Sequence, residues 1–494
     1  MRNNISAIDP AFAPRKLGDT RLNYSFLQKS FLLFGAVMAI VSPFSPDMIA
    51  FAAGGITPWI IVRLLGTPNM PAAAAYFLLW QWNQSFTRIL QGVIDGEQLS
   101  RSLYGSTVEE AYWYTLASTV TLAVAFRLVL GNLRGPTREF AEAHKHWQQR
   151  DLLMLYIGGV VFSMICGTAA KFVPALDQPF EAAGHFKILA MSMVFATVMA
   201  TGQGRNFMIA VFVIEVMSGF GGLFSDFKGG FIFLAVSAFM VRIRWSGTMA
   251  VVTTVLACVM LVMAVWWTAV KTDFREFATA SSDSQNIKVD IGSRVGYLGN
   301  KASGDIDWTN ASYALLLRLS YVDIFGSVIG VQAVAPEPRY FGQWQDAIDH
   351  IAKPRFLFPG KAALSDTEVF IRLARGNASE AIRGGTSISV GFVAENFVDM
   401  GFPGMLVGIF AIGVMTAGIC RYFMTRQLPW MVREGTVLAI IYTIGHDGVE
   451  ISLPKILGSM YMSLGVWAIM ARWGFPYIFR YLGRNTAKRS TYTR

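Results

Sequence analysis

The sequence predicts an all-α fold: a polytopic helical membrane protein of about twelve spans, carrying one large outer loop. Three observations point there. Of 494 residues, 53% are hydrophobic and only 15% charged, whereas a soluble chain carries roughly 25% charged residues. Apolar runs near the spanning length of about 20 residues recur from Phe31 to Phe475. Basic residues then alternate between the connecting segments, as a multi-pass chain requires. The first observation excludes an ordinary soluble enzyme, and the second excludes a single anchor.

Taken in order, a polar tail precedes the first apolar run and has no small-residue cleavage site after it, so no removable signal peptide is expected. Spans are expected at 30–44, 46–65, 71–91, 109–131, 151–173, 186–202, 206–224, 228–243, 247–270, 388–420, 434–446 and 452–474. The tail, Arg63, Arg134 to Arg150, Arg205, Arg242 with Arg244, and Arg421 to Arg433 are basic. The segments near 45, 174–184 and 447–453 are basic-poor, so both termini are expected in the cytoplasm. The chain then divides into an N-terminal bundle over 1–270, an outer loop over 271–386, C-terminal spans over 387–475 and a basic tail over 476–494 suited to anionic headgroups. The net charge of +10 is scattered through short loops, which gives no nucleic-acid face. Cys166, Cys258 and Cys420 lie in apolar runs, as packing residues rather than a disulfide framework.

The loop 271–386 is too long to be a passive connector. Trp308, Tyr313, Tyr321, Tyr340 and Trp344 argue for order, and the apolar run Ala314 to Gln332 reads as an amphipathic or re-entrant helix.

Three clusters carry chemistry. In Ser225-Asp226-Phe227-Lys228-Gly229-Gly230, a cation and free N–H groups at a helix start suit a phosphate; a tight turn with a snorkelling lysine is the bland alternative. In the outer loop, Pro354 and Pro359 hold Arg355 on an extended ribbon between Lys353 and Lys361, just after His350. Guanidinium there offers forked donors to a diphosphate, unless it merely pairs with a loop carboxylate. In the third, Glu395 precedes a break at Gly401 to Gly404 and then a long apolar run, which reads as a broken helix entering the membrane. Glu395 serves there as a base, or simply ties neighbouring helices.

The order of these motifs resembles the oligosaccharide repeat-unit polymerases, the Wzy-type O-antigen and exopolysaccharide polymerases. The resemblance rests on Lys228-Gly229-Gly230, on Pro354-Arg355 with Pro359 and Lys361, and on Glu395 with Gly401 and Gly404. It implies a GT-C-type glycosyltransferase of the bacterial inner membrane that moves a growing glycan from undecaprenyl diphosphate to another lipid-linked repeat, without metal or cofactor. A chain-length regulator and a flippase are its implied partners. Lys228 stands where related polymerases and ligases often carry Arg. Arg355, Glu395 and His350 are the catalytic candidates, with Asp323 a further base. Lys228, Arg318, Lys361, Arg372, Arg375 and Arg383 are the diphosphate-binding candidates.

Weaker signals remain. Asp305-Ile306-Asp307 matches a metal-holding Asp-x-Asp but lies in the outward loop, where chance explains it better. His446, Asp447, Glu450 and Lys455 cluster at the outer end of two late spans, to line an acceptor site or cap helices. The alternatives are an O-antigen ligase, whose base is often a His that Ser387 to Glu395 lacks, and a flippase for lipid-linked sugar. The flippase predicts internal repeats and charge deep within several spans.

Overall fold

The computed structural model describes residues 21–478 and Leu482, apart from 103–104, 221–225, 242–246, 281–286, 303, 354–356, 359, 362–364 and 375–387. The described residues form helices and no strand. The first eleven helices are α1 (Arg21–Val41), α2 (Met48–Leu65), α3 (Ala72–Asp95), α4 (Thr107–Leu130), α5 (Arg138–Glu142), α6 (Gln149–Phe172), α7 (Asp177–Gly184), α8 (Phe186–Thr201), α9 (Arg205–Ser218), α10 (Phe227–Met240) and α11 (Gly247–Ala278). Then follow α12 (Ile291–Ala302), α13 (Trp308–Leu319), α14 (Val322–Val334), α15 (Gly342–Ala352), α16 (Asp366–Ala374), α17 (Gly391–Met424), α18 (Trp430–Gly445) and α19 (Leu453–Ile469).

Among the described residues, eight helices are long and apolar enough to cross a membrane, or nine if the bent pair α13 and α14 counts as one span. About twelve were expected, and the difference has two causes. Helices α9 and α10 have 14 residues each, about 21 Å at 1.5 Å per residue, short of a core of about 30 Å. Helix α18 has only 16. Helix α3 is long enough but buries Gln81, Gln84, Arg88 and Gln91. The run Ala314 to Gln332 folds as α13 and α14, bent by 50° at Ser320 and Tyr321.

Position in the bundle follows from which faces are apolar. Helix α11 leaves Val251, Val252, Val255, Val259, Leu261 and Val262 exposed, the outward apolar face of a helix made for lipid. Cys258 is exposed on the same helix, so it is a surface residue and not the packing residue expected; Cys166 and Cys420 are buried. Helix α18 is buried along its whole length, as an all-round apolar helix must be. Helix α17 lies against α4 and breaks at Gly401 (φ 60°, ψ −179°) and Phe402, beside Pro403. The break expected at Gly401 to Gly404 is therefore present. A positive φ is cheap for glycine alone. The turned-out Phe402 ring stacks on Tyr114 at 4.2 Å.

Some of the charge inside the bundle is paired. Glu215 of α9 accepts from Lys187 of α8 at 2.7 Å and from the Tyr156 hydroxyl of α6 at 2.5 Å. Such ties satisfy polar groups that would be costly unpaired at depth.

Candidate functional site

Helix α3 carries a polar stripe at i, i+4 and i+7 spacing, so Gln84, Arg88, Gln91 and Asp95 lie along one side. Gln84 holds the turn between α18 and α19. Its Nε2 donates to the Asp447 carbonyl and to Glu450 Oε1, both at 3.1 Å, and its Oε1 accepts from Val449 N–H at 2.7 Å. Gly448 makes this possible. Its φ is +71°, and a Cβ there would lie 1.8 Å from Gln84 Oε1. One turn along, Arg88 is 3% exposed and its Nε binds Asp323 of α14 at 3.0 Å. Ser320 donates to the other oxygen of Asp323 at 3.2 Å. Gln91 then donates to the Tyr313 hydroxyl, which donates to Asp95.

Above this stripe the cations gather. Lys228, at the start of α10, sits 5.5 Å from the centroid of the Trp80 ring on α3. Lys228 and Arg318, the latter in the last turn of α13, both act electrostatically on Glu450. Arg318 acts in turn on Lys271 and Arg275, at i and i+4 on α11. Burial, then the neighbouring Asp447 carboxylate, pushes the Glu450 carboxyl up to about 7, while Arg318, Lys228 and the Gln84 hydrogen bond pull it down. A carboxyl balanced near neutrality, with Lys228 and Arg318 acting on it, can accept a proton beside a bound anion.

The Asp226 to Gly230 turn, expected to suit a phosphate, carries a carboxylate beside its helix start. Asp226 accepts from the Tyr442 hydroxyl at 2.7 Å. Its carboxylate lies about 3.2 Å from where a Cβ on Gly229 would stand. That carboxylate stands beside the start of α10 without capping it, and Lys228 contributes its side-chain charge there.

The remaining candidates lie apart, around the start of α17. Glu395 is 2% exposed and accepts from the Leu453 N–H that opens α19. Asp399 accepts from Gln343 N–H and Trp344 N–H, both at 2.9 Å, at the start of α15. Asn396 accepts from the Trp344 indole at 3.0 Å. These bonds give Glu395 the helix-tying geometry. Arg372 donates to Glu337 at 3.0 Å and to Gln343 at 3.2 Å. Lys361 donates to the His350 carbonyl, so this pair is joined through the backbone. Lys455 and Ser452 both donate to Asp366. Asp307 of the Asp-x-Asp pair caps α13, accepting from Asn310 N–H at 2.9 Å. Arg355, Arg375 and Arg383 lie outside the described residues.

The structure thus brings Lys228 and Arg318 together and adds Lys271, Arg275, Gln84 and Arg88, which the sequence reading did not select. Lys271 and Arg275 close an apolar run and read as span-end anchors. Gln84 and Arg88 carried a signal, a polar stripe at helical spacing.

Residues 114–424 match the model of a family described as a domain of unknown function, DUF8712. The chain belongs to that family. The DUF8712 segment runs from within α4 to the end of α17, so it contains Lys228, Lys271, Arg275, Arg318 and Glu395. Gln84, Arg88 and Glu450 reach the site from the flanking helices. No curated protein and no solved structure matches the chain.

Proposed function

We propose that this DUF8712 protein is a membrane glycosyltransferase that joins undecaprenyl-diphosphate-linked oligosaccharide repeats into a surface polysaccharide. The observation that carries the reading is Glu450 with Lys228 and Arg318 acting on it, and Arg318 acting in turn on Lys271 and Arg275, at one end of an apolar helical bundle. A lipid-borne diphosphate meets protein at that level. In each turn an acceptor hydroxyl attacks the anomeric carbon of the donor glycan and its proton passes to Glu450. The bond from that carbon to the diphosphate oxygen breaks, and the electron pair leaves with undecaprenyl diphosphate. The four cations stabilise the departing charge. On this reading, the helices that fall short by length or polarity complete a twelve-pass GT-C-like bundle, with the site facing the periplasm of the inner membrane and both termini in the cytoplasm. A flippase supplies the substrate, and a chain-length regulator sets the product.

Deletion of the gene tests this. The expected profile is surface glycan reduced to single repeats or absent, with lipid-linked precursor accumulating. Undiminished long-chain glycan overturns the reading, and polymer that stays lipid-linked converts it to a ligase. A flippase is the second reading, favoured by the buried Arg88, paired with a half-buried Asp323, and by the broken α17. It predicts precursor confined to the cytoplasmic leaflet and no bond-forming activity in purified protein.

A further inference from the structure

At the opposite end of the bundle a cavity of about 540 Å³ opens beside the segment after α4, the end of α17 and the start of α18. Helix α17 runs from Glu395 to this end and α18 returns from it to the Gly448 turn. The lining includes Asn132, Arg134, Thr137, Arg421, Thr425 and Arg433, and no Asp or Glu.

Arg433 is 5% exposed. Its Nε donates to the Leu428 carbonyl at 2.8 Å and Nη1 to the Met424 carbonyl at 2.9 Å. These bonds cap the end of α17, yet they use two of five N–H donors and bring no formal negative charge. Phe140 lies 6.0 Å from its guanidinium carbon. Among the described residues, Arg134, Arg421 and Arg433 form no ion pair. A buried cation without a counter-ion is costly, and here it faces a cavity lined by two more.

We propose that this cavity binds a phosphate group, which the three guanidiniums grip through forked donors and Asn132, Thr137 and Thr425 complete. The group is either the headgroup of an anionic phospholipid, whose phosphates lie at the level of helix ends, or a free phosphate or diphosphate. The site is independent of the transferase reading.

The test uses full-length protein in neutral detergent and in nanodiscs, with thermal unfolding as readout. The probes are inorganic phosphate, inorganic diphosphate, and phosphatidylglycerol doped into phosphatidylcholine. Saturable stabilisation by a free anion in detergent identifies the soluble source; stabilisation by phosphatidylglycerol alone identifies the lipid. In either case Arg134→Gln with Arg421→Gln should weaken the apparent affinity on the order of tenfold or more. Both side chains are exposed, and each single substitution serves if the pair fails to fold. No stabilisation of the wild-type protein by any probe, or the same affinity in the variants, overturns the proposal.

Discussion

Gln84 donates from Nε2 to Glu450 Oε1 at 3.1 Å, joining the polar stripe of α3 to the turn between α18 and α19. The same side chain accepts from Val449 N–H, so one amide sets both the backbone of the turn and the carboxyl it presents. A carboxyl held this way enters the site already oriented, and its orientation depends on a helix distant in sequence.

Gly448→Ala should destabilise the protein by about 1–3 kcal/mol, because its left-handed backbone becomes strained and the new methyl meets the Gln84 amide. Gln84→Ala removes the clash but not the strain. In thermal unfolding of detergent-solubilised protein, the double variant should therefore lose less than the two single losses added together. Strict additivity would show that the turn and α3 are uncoupled.

Glu450 gives a pH signature. If it is the base, activity should rise with pH through about 7 as the carboxyl deprotonates, and Glu450→Gln should cost on the order of 10²–10⁴-fold. The stability sign is opposite. A carboxyl raised from its ordinary 4.5 to about 7 binds more protons in the folded state, so stability falls as pH rises across that window. Glu450→Gln should flatten this slope in melting curves taken from pH 4 to 8. An unchanged slope would remove Glu450 as the titrating group.

Arg88 and Asp323 should behave as a unit. Arg88→Met leaves the half-buried Asp323 without its cation, with the Ser320 hydrogen bond remaining, and should cost about 1–3 kcal/mol. Pairing it with Asp323→Leu should recover much of that loss, since the desolvation penalty goes with the charges. Yield and melting temperature of the three variants read this directly. A double variant worse than either single one would contradict the pairing.

The outer-loop assignment predicts that, with Cys258 replaced, a cysteine at Lys288 or Asp305 reacts with a membrane-impermeant thiol reagent in intact cells with permeabilised outer membranes. One at Gln148 should not. The reverse pattern would invert the topology.

Much of this was legible in the sequence. The apolar runs gave the helical class, Gly401 with Pro403 marked the break in α17, and Lys228, Arg318 and the Asp447–Glu450 cluster were singled out by charge near span ends. What escaped has physical causes. Hydropathy counts α10 as a span although its helix stops after 14 residues, because apolar content does not encode where a helix ends. Gln84 and Arg88 sit in a stripe whose partners lie more than 200 residues away, so their roles exist only once α3 is packed. For Glu395 the sequence left a base and a helix tie both open, and its bond to the backbone N–H that opens α19 has the geometry of the tie; the partner lies 58 residues on, so local pattern could not choose.

The most direct test of the central claim is reconstitution of the purified protein in liposomes with undecaprenyl-diphosphate-linked oligosaccharide as the only added substrate. The account predicts a ladder of elongated glycans and one undecaprenyl diphosphate released per bond. With Lys271→Ala and Arg318→Ala together, the ladder should fall by at least 10²-fold, as expected for lost charge stabilisation, while the protein remains folded. Folded wild-type protein that leaves the single repeats unjoined, or a double variant as active as the parent, would contradict it.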